Sequence, residues 1–136
     1  MRRIAVLSSG GDAPGMNAGI RATVRAALHR GLSVFGVRRG YEGLIDDAFM
    51  PLESRDVSNI LQHGGTILHS ARSDRFMTPA GKAAAAANLE SRGIEGLVVL
   101  GGDGSFRGAH DFYGAHGVPV AGVPATIDND VRGTDF

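Results

Sequence analysis

The chain has 136 residues, 43% of them hydrophobic, which suits one domain with a true core and argues against disorder. Its 14 basic residues balance 14 acidic ones, so no global field favours nucleic acid or a membrane surface. Cysteine is absent, which excludes disulfides and thiol chemistry and removes the usual zinc frameworks.

The elements alternate along the chain. Ile4 to Leu7 reads as a buried strand, and Met16 to His29 has helical composition. Leu32 to Val37 is a second strand, Asp56 to Gln62 a short helix and Thr66 to Leu68 another brief strand. Thr78 and Pro79 mark a helix start, with Thr as cap and Pro in the first turn. Ala80 to Ser91 carries that helix on, and Gly93 ends it. Ile94 to Leu100 is apolar at nearly every position, the pattern of a strand covered on both faces. A helix from about Ser105 to Ala115 leads to a last strand, Val118 to Val123. The alternation implies right-handed βαβ units: an α/β fold with a mostly parallel sheet flanked by helices. No internal repeat or linker divides the chain. Arg2 and Arg3 precede an apolar run too short for a signal peptide, and nothing approaches the roughly 18 apolar residues of a membrane span. A soluble cytoplasmic protein is the expectation.

Glycine is the anomaly, with 21 residues that gather at the ends of apolar runs. Four polar clusters each follow an expected strand: SSGGDAPG from Ser8 to Gly15, SARSDRF from Ser70 to Phe76, GGDGS from Gly101 to Ser105, and PATIDND from Pro124 to Asp130. In a parallel sheet these meet at one edge, where α/β proteins bind ligands. Adjacent glycines before a helix let backbone N–H groups approach phosphate oxygens. An acid inside such a site suits a cation, so Asp103 reads as a Mg²⁺ contact; the alternative is a tight turn with Asp capping the helix. Thr126, Asp128 and Asp130 place a hydroxyl and two carboxylates together, and in an extended segment the carboxylates share a side. A cation or shared proton would relieve their repulsion, and a solvated turn is the alternative. Arg72 and Arg75 offer positive charge at the same edge, although a lone arginine is more often a surface residue. Arg21 and Arg25 lie i, i+4 on the first helix, a spacing that by itself favours a solvated face. The five histidines show no ligand spacing.

Two standard nucleotide motifs fail. The only Gly-Lys pair, Gly81 and Lys82, is followed by Ala83, not by the hydroxyl of a P-loop. The dinucleotide fingerprint fits Gly102 and Gly104 but then needs glycine at Arg107; it comes one later, at Gly108.

Taken together, GGDAPGMN from Gly10 to Asn17, GYEGL from Gly40 to Leu44, GGT from Gly64 to Thr66, Ala71-Arg72, GGDGS and TIDND resemble bacterial ATP-dependent 6-phosphofructokinase, in the family's order and nearly its spacing. The resemblance runs the length of the chain. It implies a Rossmann-like three-layer domain that binds ATP and Mg²⁺ and transfers a phosphoryl group to the 1-hydroxyl of fructose 6-phosphate. Asp128 then matches the proton acceptor, Asp130 an acidic partner near the metal, and Asp103 the Mg²⁺ residue. Thr126, Ile127 and Asp128 match substrate contacts. Gly11 matches the backbone contact to the terminal phosphate, and Arg72 the cation bridging donor and acceptor. Ser73, Gly102, Gly104 and Ser105 match nucleotide contacts, with Tyr41 and Gly108 beside the adenine. Arg21 and Arg25 match an allosteric site that in the family binds ADP or phosphoenolpyruvate between subunits of a homotetramer.

Gly104 favours ATP, since pyrophosphate-dependent relatives carry Asp there, whose carboxylate would oppose the α-phosphate. Ala125 stands where ATP enzymes usually have Gly and pyrophosphate enzymes Lys. Asn59 replaces an acid common near the effector site, and Met77 a base common near the nucleotide. Family chains run to more than twice this length, so residues 1–136 are expected to be the ATP-binding N-terminal domain without the C-terminal sugar-phosphate domain. Alone, that domain is expected to be inactive. The competing readings are a nucleotide-binding module without catalysis and an NAD kinase of the same fold group; the TIDND segment argues for the sugar kinase.

Overall fold

The computed structural model describes residues 2–9, 16–58, 60 and 67–124. Five strands form one sheet in the order β3-β2-β1-β4-β5. They are β1 (Arg3–Ser8), β2 (Ser33–Val37), β3 (Phe49–Leu52), β4 (Gly96–Gly101) and β5 (Val120–Pro124). The helices are α1 (Met16–His29), α2 (Gly40–Ile45), α3 (Ser54–Val57), α4 (Pro79–Ser91) and α5 (Asp103–His116), with a 3₁₀ turn at Arg75–Met77. β1, β2, β4 and β5 run parallel, as the βαβ alternation requires, and β3 alone is antiparallel.

Alternation along the strands makes three layers. Ile4 and Val6 of β1 join Ile20, Val24 and Ala27 of α1 and Val57 of α3 on one face of the sheet. Ala5 and Leu7 point the other way, to Leu44, Ala85, Leu89, Ala109 and Phe112 of α2, α4 and α5. The β1–β4 pair is therefore buried on both sides, which is why its sequence shows no polar alternation.

Helix ends follow local chemistry. Thr78 caps α4, its Oγ1 accepting from Gly81 N at 3.0 Å with Pro79 at the first position. At the far end Gly93 takes φ +68°, Gly93 N–H donates to Glu90 O and Ile94 N–H to Leu89 O. That is a Schellman ending, and it explains why Ile94 and Glu95 are not part of β4: the Ile94 amide closes the helix.

Three expectations need correction. The strand expected at Thr66 to Leu68 is a turn at Ile67 and Leu68, Thr66 lying outside the described residues. Ile67 N–H donates to the Asn17 side chain at 2.8 Å and Leu68 C=O accepts from Arg39 N–H at 2.9 Å, while the Leu68 side chain fills the core. Burial alone produced its strand-like look. The helix expected from Asp56 to Gln62 begins at Ser54, where Glu53 and Asp56 form a reciprocal capping box, and its α-helical part ends at Val57, with Asn59, Leu61 and Gln62 outside the described residues. The helix expected from Ser105 begins at Asp103, so in GGDGS the first glycine ends β4, Gly102 is the cap position and Asp103 to Ser105 open the helix. β3 and α2 have no counterpart in the sequence reading.

Candidate nucleotide site

The order of the sheet sets the site. β1 is followed by α1 on one face, and its neighbour β4 by α5 on the other. The connections thus part at the carboxyl ends of β1 and β4, leaving a crevice of the kind where open α/β sheets bind ligands. Ser9 N–H donates to Leu100 O at 2.8 Å, which locks the first turns together at this edge. Pro124 pairs in register with Gly101, so β5 ends at the same edge.

From β4 the chain passes through Gly101 and Gly102 into α5. No side chain caps this helix at Gly102, and Gly102, Asp103 and Gly104 are exposed. A Cβ placed on Gly102 or Gly104 would meet nothing within 4 Å among the described residues. The positive end of the α5 dipole lies at this edge, which favours an anion there. Asp103 stands in this first turn with an exposed carboxylate. Among the described residues no group of three or more acidic or histidine side chains could cage a metal alone. One exposed carboxylate at an edge that favours anions suits Mg²⁺, which binds through one or two carboxylates plus phosphate oxygens and keeps several waters.

The second wall is the Ser70 to Phe76 segment. It does not follow a strand, yet it reaches the same edge: Ser8 Oγ at the end of β1 donates to His69 O at 3.3 Å. Gly40, with φ +59°, starts α2 against both, since a Cβ there would lie 2.9 Å from Ser8 O and 3.9 Å from Ala71 O. Arg72 extends into solvent, its guanidinium 3.4 Å from Asp74 in an exposed pair that is free to exchange partners. Ser73 faces inward: its hydroxyl donates to Glu42 Oε2 at 2.9 Å and accepts from Phe76 N–H at 3.2 Å.

Tyr41 joins the two walls. Its ring stacks on Phe76 with centroids 4.1 Å apart and lies 3.7 Å from the Cβ position of Gly108. Its hydroxyl donates to Ser105 O in the first turn of α5. Burial pushes the Tyr41 phenol well above its ordinary range, so it remains a donor at any working pH. Tyr41 and Gly108 thus form the buried floor beneath the edge. Met77 is exposed beside it, 63% accessible.

Tyr41 joins Ser105 and Gly108 of α5 to Phe76, Ser73 is tied to α2 through Glu42, Gly102, Asp103 and Gly104 stand at the start of α5, and Arg72 projects from the second wall beside Asp74. Arg21 and Arg25 sit apart from them, on α1 across the sheet; Arg25 is exposed, and Arg21 Nε is buried without a hydrogen-bond partner among the described residues. Gly11, Asn59, Ala125, Thr126, Ile127, Asp128 and Asp130 lie outside the described residues. Two residues escaped the sequence reading. Glu42 gathers donors from Ser73 and Arg75. Asn17, buried in α1, donates to Ile60 O and accepts from Ile67 N–H. Its place on the Ile20, Val24 and Ala27 stripe was the available signal for burial.

A family model described as phosphofructokinase matches residues 3–136. The chain belongs to the phosphofructokinase family. It is 60% identical over all 136 residues to ATP-dependent 6-phosphofructokinase 1 of Thermus thermophilus and 58% identical to ATP-dependent 6-phosphofructokinase of Thermotoga neapolitana. It spans 42% and 43% of the lengths of those relatives. Among solved structures, phosphofructokinase from Saccharomyces cerevisiae superposes with a TM-score of 0.90 at 39% identity, covering the whole of this chain and 21% of that one. A pyrophosphate-dependent phosphofructokinase from Marinobacter aquaeolei shares the fold, with a TM-score of 0.73 at 19% identity over 91% of this chain and 33% of that one. Among the described residues no helix is long and apolar enough to cross a membrane.

Proposed function

We propose that these residues form the nucleotide-binding part of an ATP-dependent 6-phosphofructokinase, which converts fructose 6-phosphate and ATP to fructose 1,6-bisphosphate and ADP. The observation that carries the reading is the uncapped, glycine-flanked start of α5 at the β1–β4 crevice, in a family whose ATP-dependent members match the whole chain. The open flank at Gly104 leaves room for the α-phosphate of ATP. Gly102, Gly104 and Ser105 cradle the phosphates, Tyr41 and Gly108 back the adenine side, and Gly11 contacts the terminal phosphate.

Phosphoryl transfer is mostly positioning and charge neutralisation. The Asp128 carboxylate takes the proton of the sugar 1-hydroxyl. That oxygen forms the new bond to the γ-phosphorus as the bond to the β–γ bridging oxygen breaks, and ADP leaves with the electron pair. Arg72 spans donor and acceptor; Thr126 and Ile127 hold the sugar side. Asp103, with Asp130 as the acidic partner that the resemblance implies, would hold Mg²⁺, which when bound supplies charge neutralisation on the phosphate oxygens. The same resemblance supports a cytoplasmic homotetramer with an ADP or phosphoenolpyruvate site at Arg21 and Arg25.

The test is a coupled assay on the full-length protein with fructose 6-phosphate and either ATP or pyrophosphate, and with NAD as an alternative acceptor for ATP. Turnover with ATP and fructose 6-phosphate is expected. Faster turnover with pyrophosphate, or phosphorylation of NAD instead, would refute the assignment. Residues 1–136 alone are proposed to bind nucleotide weakly without turnover, because the relatives place more than half of their chain outside this region. Product formed by this piece at the full-length rate in a single-turnover assay would overturn that part.

A further inference from the structure

We infer that Glu42 is a positioning residue of the nucleotide edge, holding the Ser73–Arg75 turn against α2 at a fixed distance from the start of α5. The inference rests on the proposed nucleotide reading of that edge. Glu42 is next to Tyr41 in α2, and the two residues grip different walls. Tyr41 takes Ser105 O with its hydroxyl and Phe76 with its ring. Glu42 Oε2 accepts from Ser73 Oγ at 2.9 Å, from Arg75 Nε at 3.1 Å and lies 3.0 Å from Arg75 Nη2. Its side chain is 20% exposed, unlike the 91% and 86% of the Arg72–Asp74 pair. An exposed ion pair of that second kind contributes little; a half-buried carboxylate with three donors from one turn fixes geometry.

The tether continues beyond the carboxylate. Ser73 Oγ, oriented by donating to Glu42, accepts from Phe76 N–H at 3.2 Å. Arg75 also reaches Asp46 at 2.9 Å, on the residue just after α2, so the turn is pinned at both ends of the helix. Arg72 stands three positions before Arg75 and projects from this pinned turn. With α2 abutting Ser8 and Ala71 at Gly40, one six-residue helix sets the separation of the two walls.

Charge and position make opposite forecasts here, which makes the inference testable. Glu42 is an anion at an edge that is to bind an anion. If its only influence were electrostatic, removing the carboxylate would tighten nucleotide binding. If it positions, removal weakens binding despite the lost repulsion. The experiment is calorimetric titration of the full-length protein with MgATP, for wild type, Glu42→Ala and Glu42→Gln, with Phe76 amide hydrogen exchange and thermal melting on the same samples. Glu42→Ala should weaken MgATP binding about tenfold, the scale of a lost charge-assisted hydrogen bond, and speed Phe76 exchange by a similar factor. Glu42→Gln keeps one oxygen for Ser73 and should recover part of both losses. A folded Glu42→Ala protein that binds MgATP as well as or better than wild type refutes the positioning role alone. Unchanged Phe76 exchange refutes the tether whatever the nucleotide does. Wild-type protein that binds no MgATP refutes the functional reading, and the positioning role with it.

Discussion

Replacing Gly104 by Asp should stabilise the fold while weakening nucleotide binding, an opposition that few other substitutions would produce. Gly104 is the second residue of α5, exposed, and a Cβ there meets nothing within 4 Å among the described residues. Replacing Gly by Asp in a helix gains about 0.3 kcal/mol in propensity, and an acid in the first turn adds roughly 0.3–1 kcal/mol through the dipole. A rise in melting temperature of about 2–6 °C is the expected result for a domain of this size. The new carboxylate would stand on the order of 5 Å from a phosphate held at the helix start. At an effective dielectric near 20 that repulsion is about 3 kcal/mol, roughly a hundredfold in affinity. Calorimetric MgATP titration and thermal melting of one batch read both effects. Gly104→Asn, of the same shape but neutral, separates charge from bulk and should lose far less. Equal losses for Asp and Asn would attribute the effect to volume, and unchanged affinity in Gly104→Asp would mean that the α5 start holds no phosphate.

Gly40→Ala should cost about 1–2 kcal/mol in urea unfolding, because φ is +59° and the added Cβ crowds Ser8 O; an unshifted midpoint would contradict the close approach. Tyr41→Phe removes the donor to Ser105 O and should cost about 1–3 kcal/mol, with weaker MgATP binding read in the same titration. Because folding raises the Tyr41 phenol above its ordinary value of 10, its contribution is complete below pH 10 and falls as pH climbs beyond it; a spectrophotometric titration in which Tyr41 ionises at its ordinary value would refute this. Arg92 holds the Asp47 carboxyl below its ordinary value of 3.8, so its stabilisation is present above that pH and fades as pH falls through the lowered native value; Asp47→Asn should flatten this acid limb, most visibly at low salt.

The parts of the fold legible in the sequence were those with local causes. α1 matches its expected bounds because its apolar stripe has helical period, and α4 because Thr78, Pro79 and Gly93 mark its ends. β3 was not legible: it is a four-residue edge strand, and Pro51 is tolerated there only because an edge leaves one side of the ladder unpaired. α2 was read as motif rather than helix, since two of its six residues are glycine. The site was legible in composition and not in contact. GGDGS suggested a phosphate turn, but only packing reveals that the Tyr41 hydroxyl points inward to Ser105 and that Ser73 serves Glu42. Such pairs join residues 64 and 31 positions apart, a separation no local pattern encodes.

The central β1–β4 pair has a consequence for how the domain is made. Ile4 aligns with Gly96, so the two strands that flank the crevice meet across 92 residues of chain. Closing a loop of that length costs on the order of 4 kcal/mol in chain entropy before any ladder bond compensates it. By the same measure β2–β3, with Val37 opposite Phe49, costs about 2 kcal/mol and β1–β2, with Ile4 opposite Val34, about 3 kcal/mol, so these pairs can form first. The α5 start is delivered to Ser9 only when β4 docks, so during refolding the crevice arises late, with the slow non-local step. A chain still in its early, locally paired state would have half of a sheet and none of the site.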